Sequence, residues 1–311
     1  MASNTWRYAN AMFSLAKLYL SDPRDFRRLR HVQPGEERYV RPVRSYELPP
    51  YDPSMKKTTS KERYLRPTRF CDCRAPETVA LAHSLGAYQK PDGEYVNGAF
   101  EFVKERLHLE ICPIDGVEET LHRGTGTCFQ LISVFIALCR AAGIRARYKM
   151  FSMTMIQAWR EAMVDVDPLV KKWYDSMGHF MVEGEGEAFI DGRWVVAHVG
   201  PTAERQASAG IPITRFGEDA IGVWFSALPG SIRVLESIPV GLGAGSRVLY
   251  HIAPGSMERV NVGVQNQVRV GRRRIEEAGG VAAYDATARA RRGADLPAMR
   301  LEEMKEIVFE E

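Results

Sequence analysis

No uninterrupted apolar run in these 311 residues approaches the roughly 20 needed to span a bilayer, so a transmembrane helix is excluded. The apolar stretch 11–20 is broken by Lys17, is followed by Asp22 and has no small-residue cleavage site. It therefore does not read as a secretory leader, and a cytoplasmic protein is expected. Cysteine is scarce: Cys71, Cys73, Cys112, Cys128 and Cys139 are an odd number in a long chain, which fits reduced thiols better than a disulfide framework. Cys71 and Cys73 have no second Cys or His cluster at ligand spacing, so no metal is expected. The run Gly241-Leu242-Gly243-Ala244-Gly245 lacks the Lys-Ser/Thr of a phosphate loop, so no nucleotide cofactor is expected either.

Charge of one sign is also lacking, the net value being only +3, but it is unevenly spread. Residues 1–70 carry about eight more Lys and Arg than Asp and Glu. Without a nucleic-acid motif, that basic arm is expected to pair with acidic patches on its own body, and neither nucleic acid nor a membrane is expected as a partner.

What is present is a globular composition, 45% hydrophobic and 26% charged, in a chain long enough for one sizeable core with additions. An amphipathic helix is expected over 5–20, followed by an irregular Arg-, Pro- and Tyr-rich wrap over 22–68. Helices are expected from Pro76 and over 95–107. Residues 144–150 alternate as a half-buried strand, and 152–177 carry helical patterning split at Pro168. Strands at 179–182 and 187–190 flank a Gly-Glu-Gly segment, and Asp191-Gly192 forms a hairpin turn before a strand over 193–199. Beyond Pro201 the pattern is mixed, with basic helical stretches near 272–290 and 301–309, and its role is open.

The most informative block is Gly124-Thr125-Gly126-Thr127-Cys128-Phe129-Gln130, which runs into an apolar segment ended by Gly143. That segment reads as a buried helix beginning at Cys128. A cysteine in the first turn of a helix lies among backbone N–H groups without intrahelical partners, at the positive end of the dipole. Both effects lower a thiol pKa, and the spare N–H groups suit a tetrahedral oxyanion. Thr125 and Thr127 suit capping. Cys139, deeper in the same helix, reads as a buried inert thiol.

Gly124 to Tyr148, with the His179-led strand and the segment Asp191-Gly192-Arg193-Trp194, resembles the core of the transglutaminase-like superfamily over about 75–200. The resemblance implies an α+β, papain/transglutaminase-like fold in which a nucleophile-bearing helix packs on an antiparallel sheet, with N-terminal and C-terminal additions. It divides the chain into 1–74, a catalytic core at 75–204 with a helical insertion at 152–177, and 205–311. By position, Cys128 matches the family's nucleophile and His179 its base, while Met181 stands where the family often has Trp. His198 falls where the family has Asp, so either His198 accepts from the base or another acid, Asp191 or Asp175, completes the site.

The resemblance implies acyl transfer or hydrolysis at an amide or thioester carbonyl through a thioacyl-enzyme, with a peptide, amide or acyl-thioester substrate and no cofactor. The competing expectation is a binding module of the same fold with a degenerate triad. The insertion and the basic wrap are both expected to narrow access to Cys128.

Overall fold

The computed structural model describes residues 16–17, 20–177, 180–219, 225–227 and 230–295. The helix expected over 5–20 falls almost wholly outside them, as does the helical stretch expected near 301–309. Asp22 accepts a hydrogen bond from the backbone N–H of Asp25 and Pro23 fits the first turn, so a short helix, α1 (Pro23–Leu29), opens the segment expected to be irregular throughout. From 30 to 74 the chain is irregular apart from a bridge between Thr68 and Cys71, as its prolines dictate. Its arginines reach carboxylates on the body: Arg38 pairs with Glu258, Arg41 with Glu110 and Arg66 with Glu236.

Four helices follow: α2 (Pro76–Ser84), α3 (Asp92–Arg106), α4 (Val117–Arg123) and α5 (Cys128–Ala141). Helix α3 begins earlier than the sequence pattern suggested. Between them, β1 (His108–Leu109) and β2 (Thr125–Gly126) form a short parallel pair that fixes the turn before Cys128. Every residue of α5 from Phe129 to Ala141 is buried. A helix apolar on all sides must be covered on all sides. Helices α2, α3 and α4 cover one side and a sheet the other. Burial of Leu131, Ile132, Val134, Phe135, Ile136 and Leu138 contributes on the order of 10 kcal/mol of transfer free energy, which makes α5 a fixed platform.

The sheet is built on β3 (Ala146–Met155), which runs beyond the expected end at 150. The insertion therefore begins at α6 (Gln157–Met163), and Pro168 opens α7 (Pro168–Met177) at a position where a proline costs no hydrogen bond. One continuous strand, β4 (Phe180–Ile190), replaces the two expected around the Gly-Glu-Gly segment. The alternation explains it. Gly184 and Gly186 lie under α5, where a Cβ on Gly186 would come 2.6 Å from the Phe135 ring, while Glu183, Glu185 and Glu187 occupy the alternate positions. Asp191 and Gly192, with φ of 51° and 77°, make the expected two-residue hairpin into β5 (Arg193–Ala197).

Helix α8 (Ala203–Ser208) comes next, then β6 (Phe225–Ala227) and β7 (Arg233–Leu235), which pair in turn along one edge of β3. The antiparallel order is β5-β4-β3-β6, with β7 also on β3. The expected α+β architecture holds. The region left open by the sequence is helical: α9 (Val240–Ile252), α10 (Pro254–Glu277) and α11 (Val281–Asp295). The Gly241–Gly245 run lies inside α9, not in a loop.

Helix α10 approaches the body backbone to backbone. A Cβ at Gly255 would overlap the His31–Val32 backbone, one at Gly263 the Ala162 carbonyl at the end of α6, and one at Gly271 the Glu204 carbonyl in α8. No helix among the described residues is long and apolar enough to cross a membrane.

Candidate active site

Cys128 is the first residue of α5, and its half-buried position follows from the turn before it. Thr127 is the N-cap: its hydroxyl accepts from the Gln130 N–H, and the Gln130 side chain accepts from the Thr127 N–H, a reciprocal capping box. Gln130 also donates to Asp115, which Arg123 holds with two hydrogen bonds. Thr125, the other expected cap, instead donates to Glu110, which takes a bidentate pair from Arg41 at 2.8 and 2.7 Å. The wrap is thus anchored behind the nucleophile turn. Thr127→Ala is expected to lower unfolding free energy by about 1 kcal/mol, read as a shift in the urea midpoint at unchanged m-value.

Cys128 opens onto a cavity of about 30 Å³, enough for one or two waters. Leu109, Ile111, Trp159, Met163 and Pro201 form its apolar walls, and Glu183, His198 and Arg205 supply the other polar groups. Trp159 and Met163 belong to α6, so the insertion does narrow access. The wrap does not line the cavity.

The strand register explains the electrostatics. Lys149 lies opposite Glu185, and pairing of Gly186 with Ala197 sets His198 opposite Glu185 on the far side. Lys149, Glu185 and His198 therefore form a cross-strand row. The Lys149 Nζ is 3.0 Å from a Glu185 oxygen and 3.0 Å from Asp219, and the His198 Nδ1 is 3.4 Å from the other Glu185 oxygen. Burial alone would raise the Glu185 pKa, but His198 and Lys149 outweigh it and hold the carboxyl down at about 2.

Two strand positions away, burial dominates and lifts the Glu183 carboxyl, against the opposing pull of the Gly184 N–H and of His198. Glu183 faces the Cys128 thiol. Burial first, then the charge and hydrogen-bond acceptance of Glu183, push that thiol well above its ordinary value, outweighing the Phe129 N–H and Arg205. The lowering expected from the helix start is thus overridden by burial and by a carboxylate that the motif did not reveal. Glu183→Gln removes that charge, so the thiol pKa falls. The pH profile of Cys128 alkylation is expected to move to lower pH, and an unmoved profile would show that Glu183 does not act on the sulfur.

Residues 79–198 match the family model of the transglutaminase-like superfamily. Over these residues, less than half of the chain, the protein is similar to that superfamily. The match nearly coincides with the stretch 75–200 expected from the motifs. A search of curated proteins gives no match. Among solved structures, a protein from Cytophaga hutchinsonii proposed to be a cysteine protease aligns at 17% identity and a TM-score of 0.31, covering 55% of this chain and 53% of that one. The alignment thus spans about half of that protein.

Within the matched stretch, Cys128 and His198 share one cavity, whereas His179 lies outside the described residues. Asp191 is exposed in the hairpin turn, roughly 20 Å along the strand from His198 at about 3.3 Å per residue. Asp175 is exposed and pairs with Arg160 at 3.0 Å and Lys171 at 3.4 Å. Neither lines the cavity. The carboxylate that meets His198 is Glu185, on the neighbouring strand. Glu183, Glu185 and Arg205 were not picked out from sequence. The alternation Glu183-Gly184-Glu185-Gly186-Glu187 was the available signal for the first two, because three acids on one strand face beside a glycine face have to be buried or paired. Arg205 had no local signal.

Proposed function

We propose that this chain is a cysteine enzyme that transfers or hydrolyses an acyl group at an amide or thioester carbonyl through a thioacyl-enzyme on Cys128. The observation that carries the proposal is the placement of Cys128 at the first residue of a buried, capped helix, opening onto a cavity it shares with an imidazole. In this reading a histidine takes the thiol proton and the sulfur attacks the carbonyl carbon. The tetrahedral oxyanion is met by backbone N–H groups at the start of α5. Collapse breaks the bond to the leaving amine or thiol, which departs with the proton. Water or an amine then attacks the thioester and releases Cys128.

His179 is the base by its place in the family pattern. His198 and Glu185 supply the orienting and charge-stabilising part that the pattern assigns to an aspartate, with Glu185 giving from the adjacent strand the negative charge that His198 lacks. Release of the thiol proton requires that Glu183 be neutral or that substrate displace it, since its anion opposes the thiolate.

A second reading, a binding module that has lost catalysis, is favoured by that raised thiol pKa. Intact-mass detection of an adduct on Cys128 across a panel of acyl donors decides between them. A trapped acyl group on wild-type protein, absent from Cys128→Ala, supports the enzyme. No adduct with any donor, together with unreactive Cys128 toward alkylating reagents, supports the module.

A further inference from the structure

Among the described residues two arginines are fully buried, and they are used differently. Arg140 gives four hydrogen bonds to the carbonyls of Arg66, Ala146 and Glu236, which ties the wrap, α5 and the sheet together. Arg205, 1% exposed, makes two side-chain hydrogen bonds: Nε to the Gln267 Oε1 at 3.2 Å and Nη2 to the Met163 sulfur at 3.4 Å. A guanidinium has five N–H donors, and a thioether is a weak acceptor. Its Cζ lies over Trp159, 4.4 Å from the ring centroid.

Among the described residues no carboxylate is in ion-pair contact with it. Glu183 acts on it only through space, and burial pulls its pKa down to about 10. A buried guanidinium without a contacting counter-charge is costly unless something repays it. Arg205 lines the same cavity as Cys128, and the charged or ionisable groups sharing that cavity are Glu183 and His198.

We propose that Arg205 is the anion-recognising residue of this pocket and that the acyl donor carries a free carboxylate. The proposal rests on Cys128 being the reacting group. The backbone N–H groups at the start of α5 serve the oxyanion, which leaves the guanidinium in the same cavity for a charge the substrate brings. Trp159 beneath it and Gln267 on its Nε hold the guanidinium in place, and its remaining donors are those of a group suited to a carboxylate.

The test compares alkylation of Cys128 by iodoacetate and by the neutral iodoacetamide, scored by mass on that residue. With wild-type protein the rate ratio of iodoacetate to iodoacetamide is expected to exceed the ratio for free cysteine by about tenfold, as a charge-assisted hydrogen bond gives. Arg205→Gln is expected to bring the ratio down to that of free cysteine, and Arg205→Lys to keep part of the preference. A wild-type ratio no higher than that of free cysteine overturns the proposal whether or not the variants fold.

A second measurement is independent of sulfur chemistry: calorimetric titration of Cys128→Ala protein with succinate, with succinamide as the neutral control and chloride as a control for general anion binding. Succinate binding lost in Arg205→Gln supports the anion site even where no acyl-enzyme forms, so failure of the cysteine mechanism is told apart from failure of this one. Equal binding of succinate and succinamide, or none of either, overturns it.

Discussion

Cys128→Ala is expected to abolish acyl-enzyme formation and to reduce turnover of any acyl donor by about 10⁴-fold or more, since loss of a covalent nucleophile removes the whole pathway built on it. The loss is expected without unfolding. Cys128 is half-buried, the cap is made by Thr127 and Gln130, and alanine is the best residue for a helix interior, so stability is expected to change by no more than about 1 kcal/mol. Cys139→Ala supplies the contrast. Cys139 is inaccessible in the last turn of α5 and burial raises its thiol, so removing it is expected to cost stability through a small cavity while leaving labelling of Cys128 unchanged. Full turnover by Cys128→Ala would dispose of the cysteine mechanism. Collapse of its melting transition would mean that the residue serves packing.

The nucleophile turn was legible because every cue in it is local. Glycines that permit the turn, a threonine that caps, a cysteine and a long apolar run are contiguous in sequence, and each specifies its own backbone. The same holds for Asp191-Gly192, whose backbone needs positive φ at both positions. The partners of the site were less legible because strand register brings them together. Glu185 meets Lys149 and His198 across two neighbouring strands, and nothing within β4 alone says which residues will stand opposite. Asp191 and Asp175, the acids expected to be able to complete the site, both lie away from the cavity, while Glu185 stands 3.4 Å from His198 on the adjacent strand.

Electrostatics was misjudged for a related reason. The helix start does favour a thiolate, but the effect of one turn's dipole is at most about 2 kcal/mol. Burial together with a facing carboxylate exceeds it.

The C-terminal third was illegible for the opposite reason, because its meaning lies in what its side chains leave out. Gly263 and Gly271 sit at helical positions of α10 where glycine is intrinsically unfavourable by about 1 kcal/mol relative to alanine. On propensity alone Gly271→Ala should stabilise. The structure reverses the sign: the new methyl would overlap the Glu204 carbonyl, a backbone atom that cannot rotate away, so α8 and α10 must separate. The expected result is a net loss of about 2 kcal/mol or more, since forced separation of a packed interface costs roughly 1–3 kcal/mol or above and removes the Arg205–Gln267 hydrogen bond as well. Gly245→Ala in α9 is the matched control. A Cβ there meets nothing within 4 Å, and the variant is expected to gain about 0.5–1 kcal/mol. Denaturant melts of the two variants should therefore move in opposite directions from wild type. The link to function runs through the same contact, because α8 carries Arg205 beside the residue whose carbonyl Gly271 meets. Gly271→Ala should accordingly lose the iodoacetate preference at Cys128 in its folded fraction. A stabilised Gly271→Ala with an unchanged preference would mean that α10 does not set the position of that wall.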